Sequence, residues 1–373
     1  MSNNLNYRVI IVGGGVIGLT TACTLLKEYV STDNLQLTII SEALSPDTTG
    51  DISAGFWQPY GLELSDQRML KWARYSYEIF MEEYFSTKAA RAGVIQLTSY
   101  TMMKQEEEEQ QQQQQKHVDN NDISIDFPFL ALVRHYRRLN NTELRIFDHL
   151  APVTGFVMSS VVVEVRRYLP ELHRFLEKDS RVKFIRKKIL SLNDLKGQAD
   201  VVINCTGLGA RYLVGDLAVR PARGQVIRVN APWIKSQYYI DMKEEGCGYI
   251  IPQSDTVVLG GTFQMDDWKT TPTENDTCHI RRMCAKILPA LDDVKDGKVQ
   301  VGLRPYREGG VRLEHELTSD GMNVIHCYGH SGAGVTLSWG CAKDVVDIVK
   351  SLLPIDESPT SELPIHEQLW RLI

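Results

Sequence analysis

Several large classes of protein are excluded by what this sequence does not contain. Its 41 lysines and arginines are outnumbered by 47 aspartates and glutamates, which leaves a net charge of −6. With no basic stripe along the chain, neither a nucleic-acid nor an anionic-membrane partner is expected. No window approaches the roughly 18 apolar residues of a membrane span. The segment Asn3-Asn4-Leu5-Asn6-Tyr7-Arg8 runs straight into an apolar stretch, without the pattern of a secretory signal. Seven cysteines (Cys23, Cys205, Cys247, Cys278, Cys284, Cys327, Cys341) form an odd set with no CxxC pair and no zinc-like spacing. They read as reduced, mostly buried thiols of an intracellular protein, and no metal is expected. Neither a GxSxG elbow nor a P-loop lysine is present, so serine hydrolases of that type and phosphate-loop NTPases drop out.

What is present begins with size. A chain of 373 residues, 43% of them hydrophobic, is long for one domain, and two interleaved domains are the natural expectation. Arg8 to Val12 is a β-branched strand. Leu19 to Tyr29 carries Leu19, Ala22, Leu25 and Leu26 at helical spacing, and Leu35 to Ile40 is a second strand. That order is a βαβ unit of an α/β fold. Further helices are expected over Asp66–Tyr84, Glu164–Lys178 and Val335–Leu353. Strands are expected over Val182–Ile185, Asp200–Asn204, Gln225–Val229, Gly248–Ile251, Thr256–Leu259 and Asn323–Cys327. Ser41 to Pro59 reads as loop. Residues 105–122, rich in glutamate and glutamine, cannot bury apolar surface and are expected to be a disordered insert. Residues 354–373 read as a tail.

Between the first strand and helix lies the spacing Gly13-x-Gly15-x-x-Gly18, with Val16 and Ile17 opening the helix. One glycine permits the turn, one lets a pyrophosphate approach the backbone, and one allows close helix–strand packing. Glu42, at the end of the second strand, can accept hydrogen bonds from a ribose. The plainer alternative is a glycine-rich turn without a ligand, and glycines alone do not separate FAD from NAD.

Five later blocks do. Ser45-Pro46-Asp47-Thr48-Thr49-Gly50-Asp51-Ile52-Ser53-Ala54-Gly55-Phe56-Trp57-Gln58-Pro59-Tyr60 is followed by Asn204-Cys205-Thr206-Gly207. Arg223-Gly224-Gln225 precedes Ala231-Pro232-Trp233. Val301-Gly302-Leu303-Arg304-Pro305-Tyr306-Arg307 precedes Tyr328-Gly329-His330-Ser331-Gly332-Ala333-Gly334 and Trp339-Gly340. In this order the sequence resembles the D-amino-acid oxidases and D-aspartate oxidases across nearly its whole length outside the insert.

The resemblance implies a discontinuous Rossmann-type FAD domain (1–60, 150–215 and 300–353). It also implies a substrate domain on a mixed, largely antiparallel sheet (61–149 and 216–299). It implies oxidative deamination of a small D-amino acid with molecular oxygen as acceptor and hydrogen peroxide as product. The cofactor residues carried over are Gly13, Gly15, Val16, Ile17, Gly18, Glu42, Thr48, Thr49, Gly55, Phe56, Gln58, Lys188, Thr206, Gly207, Arg304, Ser331, Gly332, Ala333, Gly334, Val335 and Thr336.

The residues themselves suit that chemistry. Hydride abstraction from an amino acid needs the carboxylate pinned and the α-hydrogen aimed, and it needs no side-chain base if the amine is neutral. Arg304 is the candidate carboxylate clamp, because a planar guanidinium binds carboxylate through two parallel hydrogen bonds. Its plain alternative is a solvated surface arginine. Tyr249 matches the family's orienting tyrosine, although a half-buried strand tyrosine is the commoner fate. Gly332 and Ser331 are candidates to approach the substrate amine. Backbone N–H groups from Gly332 to Val335, with the Thr336 hydroxyl, are candidates to stabilise negative charge on a reduced flavin. His330 is given no acid–base role.

Substrate preference leans neutral. The arginines that the acidic-substrate branch resembles fall at Phe263 and near Met242, where this chain has none, and Gln58 matches the neutral-substrate enzymes. Lys243 and the wording Leu303-Arg304-Pro305-Tyr306-Arg307 point the other way, toward D-aspartate. Glycine or sarcosine oxidation and a non-catalytic FAD-binding protein are the remaining alternatives. The resemblance also implies a homodimer and a peroxisomal location. Because Arg371-Leu372-Ile373 departs from a Ser-Lys-Leu ending, the cytoplasm is the alternative location.

Overall fold

The computed structural model describes residues 6–29, 34–59, 66–105, 127–150 and 153–354. The expected insert, apart from Gln105, and the expected tail, apart from its first residue, lie outside them. The strands among these residues are β1 (Tyr7–Val12), β2 (Leu35–Ser41), β3 (Val94–Lys104), β4 (Tyr136–Arg138), β5 (Val153–Val163), β6 (Val182–Arg186), β7 (Val201–Asn204) and β8 (Val219–Val229). They continue with β9 (Gln237–Asp241), β10 (Cys247–Pro252), β11 (Val257–Gly260), β12 (Gln264–Met265), β13 (Lys298–Arg307), β14 (Arg312–Leu317) and β15 (Asn323–Tyr328). The longer helices are α1 (Val16–Glu28), α2 (Gln67–Tyr84), α3 (Val165–Glu177), α4 (Glu274–Ile287) and α5 (Gly334–Leu352). No helix among the described residues is long and apolar enough to cross a membrane.

The chain divides into two compact units, Met1–Val94, Val163–Ala222 and Arg304–Ile373 in one, Ile95–Val162 and Arg223–Leu303 in the other. Every passage between them falls inside a strand: β3, β5, β8 or β13.

The first unit is built on a sheet of order β14-β15-β7-β1-β2-β6. Its four pairings from β15 to β6 are parallel, and β14 adds an antiparallel edge. Parallel strands covered on both faces need continuous apolar runs, and β1 and β7 supply them: Val9 to Val12 and Val201 to Asn204 are buried throughout. α1 is buried from Val16 to Leu26 because it lies between the sheet and α5. α2 crosses α5 at Gly340, where an added Cβ would fall 2.3 Å from the Trp72 Cα. Ser76 Oγ accepts from the Gly340 N–H at 3.0 Å, and Trp72 Nε1 donates to Asp344 at 2.7 Å.

These contacts hold α2 in the first unit. The substrate segment expected to start at residue 61 starts instead at Ile95, because the apolar face of α2 (Met69, Trp72, Ala73, Phe80) is satisfied there.

The second unit carries a nine-stranded sheet of order β12-β8-β11-β10-β9-β3-β5-β4, with β13 against β8. It is mixed: β3 and β9 run parallel, while β9, β10, β11 and β8 alternate. Met102, Ile227, Ile240, Ile250 and Leu259 pack with Ile280, Met283, Cys284 and Ile287 of α4 into one core.

Candidate active site

The crevice at the carboxyl ends of the first unit's parallel strands is assembled by close backbone approaches. A Cβ on Gly13 would lie 2.4 Å from the Cys205 carbonyl oxygen, and its φ of 114° is open only to glycine. The Gly14 N–H donates to Ser41 Oγ at 3.0 Å, which ties the turn to the end of β2. A Cβ on Gly18 would meet the Gly13 carbonyl oxygen at 1.9 Å, so this glycine sets how tightly α1 sits on β1. Gly15 differs from both. A Cβ there would meet nothing within 4 Å, so the fold itself does not demand glycine. The open space lies at the first turn of α1, which has no side-chain cap and no acidic residue. Unpartnered N–H groups facing such a space suit a phosphate.

Other expected cofactor residues are distributed around this turn. Glu42 and Lys188 form an ion pair at 2.8 Å, both more than half exposed, so the pair itself contributes little. Thr206 hydrogen-bonds the Asn204 side chain through both its N–H and its hydroxyl. Gly207, at φ 55°, sits against Pro305, 3.7 Å from its added Cβ. Thr48 caps the short helix Thr49–Ile52, its hydroxyl donating to buried Asp51 at 2.6 Å. Gly55, at φ 74°, accepts from the Val163 N–H at 2.8 Å, and Phe56 is half-buried beside it.

The loop entering α5 approaches the same turn, since a Cβ on Gly334 would lie 3.8 Å from Val16 Cγ1. Ser331 holds a left-handed φ of 48°, and its buried Oγ has no hydrogen-bond partner among the described residues. A strained residue with an unsatisfied buried hydroxyl marks a place where the fold leaves a contact for something else. Gly332, Ala333 and Gly334 lead into α5, whose start has no side-chain cap. Thr336 departs from expectation. Its hydroxyl donates to the Gln58 carbonyl at 3.0 Å and accepts from the Gln58 N–H at 3.3 Å. Its one hydroxyl proton is therefore engaged in pinning Gln58, which leaves the Ser331 hydroxyl and backbone groups of this turn for a ligand. Val335 is buried. His330 is fully buried, and burial pushes its pKa down to about 3, which leaves a neutral imidazole unsuited to acid–base cycling.

Arg304 is half-buried on β13. Tyr306, two residues on and so on the same face, pairs through its backbone with His330. The clamp candidate thus lies roughly 6.6 Å along the strand from the residue that touches the Ser331 loop. Sequence reading missed Arg220, whose guanidinium carbon lies 5.9 Å from the Tyr306 ring centre. Nothing local in Val219-Arg220-Pro221 signals that stacking.

Tyr249 belongs to the second unit. Gly248 abuts Met283 of α4, so alternation turns Tyr249 to the opposite face of the sheet. Its ring covers Gly260, where an added Cβ would lie 2.1 Å from the ring carbon Cζ.

A parallel sheet with a switch in strand order, an open glycine turn and a second uncapped helix start defines a dinucleotide-binding protein. Among known families, the one described as DAO, FAD dependent oxidoreductase, matches residues 8–348, and the chain belongs to it. It is 35% identical to a D-amino acid oxidase of Dugesia ryukyuensis, over 93% of this chain and 98% of that one. It is 32% identical to a D-aspartate oxidase of Homo sapiens, over 94% and 97%. A glycine oxidase from Geobacillus kaustophilus shares the fold, with a TM-score of 0.74 at 17% identity over 96% of this chain and all of that one.

The cofactor is therefore FAD, and the residues fit it. The space at Gly15 admits a pyrophosphate, Glu42 follows directly on β2 with its carboxylate exposed, and the Ser331 turn offers a hydroxyl and N–H groups for the flavin.

Proposed function

We propose that this chain oxidatively deaminates D-amino acids, converting them to imino acids that hydrolyse to 2-oxo acids and ammonia, with hydrogen peroxide as the second product. When bound, FAD supplies the acceptor for a hydride and passes the electron pair to oxygen. Arg304 binds the substrate carboxylate through two charge-assisted hydrogen bonds. Tyr249, whose assignment rests on its motif, adds an orienting hydroxyl. Gly332 and Ser331 meet the amine, and Gln58, tied to Thr336, lies within the same unit. As the Cα–H electron pair leaves, the nitrogen lone pair forms the C=N bond, so no side chain has to take the α-proton. Backbone N–H groups at the start of α5 stabilise the negative charge that arrives.

The observation that carries this reading is the position of Arg304, on the face of β13 whose next residue is joined to the loop of the strained Ser331.

Neutral side chains are the preferred substrates. Met242 is buried in the second unit's core, and an acidic side chain without a cation would cost several kcal/mol. The alternative is D-aspartate oxidation, favoured by the human relative. A homodimer and a peroxisomal or cytoplasmic location complete the proposal.

The test is peroxide release from D-alanine, D-proline, D-aspartate and D-glutamate by the parent and by Arg304→Ala. The variant should keep its flavin spectrum and raise KM on the order of 100-fold, the loss of a charged bidentate pair. An unchanged KM removes the clamp. A preference for D-aspartate establishes the alternative.

A further inference from the structure

Sequence reading expects no metal group, because the seven cysteines show no CxxC pair and no zinc-like spacing. The fold nevertheless gathers these residues. Cys327 is the last but one residue of β15, His330 lies in the loop beyond it, and Cys341 lies on α5. One ligand atom from each lies within 4.8 Å of both others, and all three are buried. His330 Nε2 is 3.9 Å from Cys327 Sγ. Cys205, the residue after β7, is buried, and the neighbouring Cys327 thiol together with burial pushes its thiol pKa up, which brings a third sulfur beside the group.

The bland explanation is packing of thiols as small hydrophobes. It accounts for Cys327 and Cys341. It does not account for an imidazole, 2% exposed, whose polar contact is a thiol at a distance too long for a strong hydrogen bond. A disulfide explains the group no better. All three cysteines are free thiols, and an S–S bond of about 2.0 Å would still leave the buried imidazole without a partner. Tetrahedral zinc, with Zn–S near 2.3 Å, sets sulfurs about 3.8 Å apart, which needs a shift of an ångström at most.

We infer that Cys327, His330 and Cys341, with Cys205 as the neighbouring sulfur, form a binding site for one thiophilic divalent cation such as zinc or cadmium. On loading, the two S–H bonds of Cys327 and Cys341 break, two metal–sulfur bonds form, and two protons leave to solvent. His330 ligates as the neutral imidazole. The cation and two thiolates sum to zero charge, the state a buried core tolerates. Because His330 directly precedes Ser331, loading also stiffens the loop that begins α5. Entry requires that loop to open, so loading is slow.

The test uses the full chain with its FAD, stripped with chelator and titrated with zinc chloride or cadmium chloride, with bound metal counted after gel filtration. One cation per chain is expected, with cadmium–thiolate absorption in the ultraviolet. Cys341→Ser and His330→Asn should each weaken binding about 100-fold or more, while exposed Cys278→Ser leaves it unchanged. If Cys341→Ser does not fold, protection of Cys327 and Cys341 from alkylation by bound cadmium gives the same answer. No uptake by the parent, uptake undiminished in His330→Asn, or uptake lost in Cys278→Ser overturns the site. None of these readouts depends on amino-acid oxidation, so the site and the proposed activity fail separately.

Discussion

The strand ends of the first unit and the node around Arg223 in the second are both rich in polar atoms, and they treat them in opposite ways. Arg223 is fully buried and spends every guanidinium nitrogen. Asp276 and Gln264 each accept at 2.6 Å, and the carbonyls of Lys269 and Thr271 accept at 2.9 Å. Burial alone would raise Asp276, but hydrogen bonds from Thr273 and Arg223 hold its carboxyl below the ordinary range. Around Gly15 and Ser331 the opposite holds among the described residues: an uncapped helix start, an open approach and an unpartnered hydroxyl. A saturated polar cluster is scaffold, whereas one with spare capacity is where a ligand completes the structure.

The largest test of that contrast is Arg223→Ala. It leaves Asp276 buried without its cation, and the expected loss is about 3–5 kcal/mol, read as a lower urea midpoint. An unchanged midpoint would mean the node is not scaffold.

A second test probes an apparent exception. Glu83 is buried, accepts from the Tyr168 hydroxyl at 2.9 Å, and has a second oxygen without a partner among the described residues. It is no ligand site, because it escapes the penalty by protonation: burial pushes its pKa from 4.5 up to about 8. A carboxyl whose folded pKa lies above its unfolded one contributes stability in full below pH 4.5 and loses it as pH rises toward 8. Unfolding free energy should fall by a few kcal/mol across that window, at about 1.4 kcal/mol per pH unit. Glu83→Gln should flatten the slope in denaturant titrations. A slope that survives the substitution assigns it to another group.

Gly15→Ala separates a ligand's glycine from the fold's glycines. With open space at the Cβ position, the apoprotein should melt where the parent does. FAD affinity should drop at least about tenfold, or 1.4 kcal/mol, in a flavin-quenching titration. A lowered apoprotein Tm with normal FAD binding would reverse the assignment.

The smallest effect is expected at Ser331→Gly. Glycine relieves the left-handed φ, so the apoprotein should gain about 1 kcal/mol, while turnover falls. A gain in both would make the strain incidental.

Local order was legible wherever one element's own residues decided it. The βαβ start, its glycine turn, α3 and α5 follow from short-range spacing, and each lies within a residue or a few of its expected bounds. α4 was missed, although Thr273 caps it through the Asp276 N–H and Ile280, Met283, Cys284 and Ile287 form its inner face. That signal was in the sequence, obscured by the charged residues between. β3 and β5 were missed for a different reason: each runs through both units, and its burial depends on strands distant in the chain.

Sequence by itself determined the class of protein, a dinucleotide turn followed by the ordered motifs of an FAD-dependent oxidoreductase. Those rest on residue types and short spacings within each motif, and on the order of the motifs along the chain. Tertiary structure alone decided which polar groups remain unsatisfied. The Thr336 hydroxyl was taken by Gln58, the Ser331 hydroxyl was left without a partner among the described residues, and two thiols met an imidazole. Hydrogen-bond saturation is a property of neighbours brought from distant parts of the chain, and no local pattern encodes it.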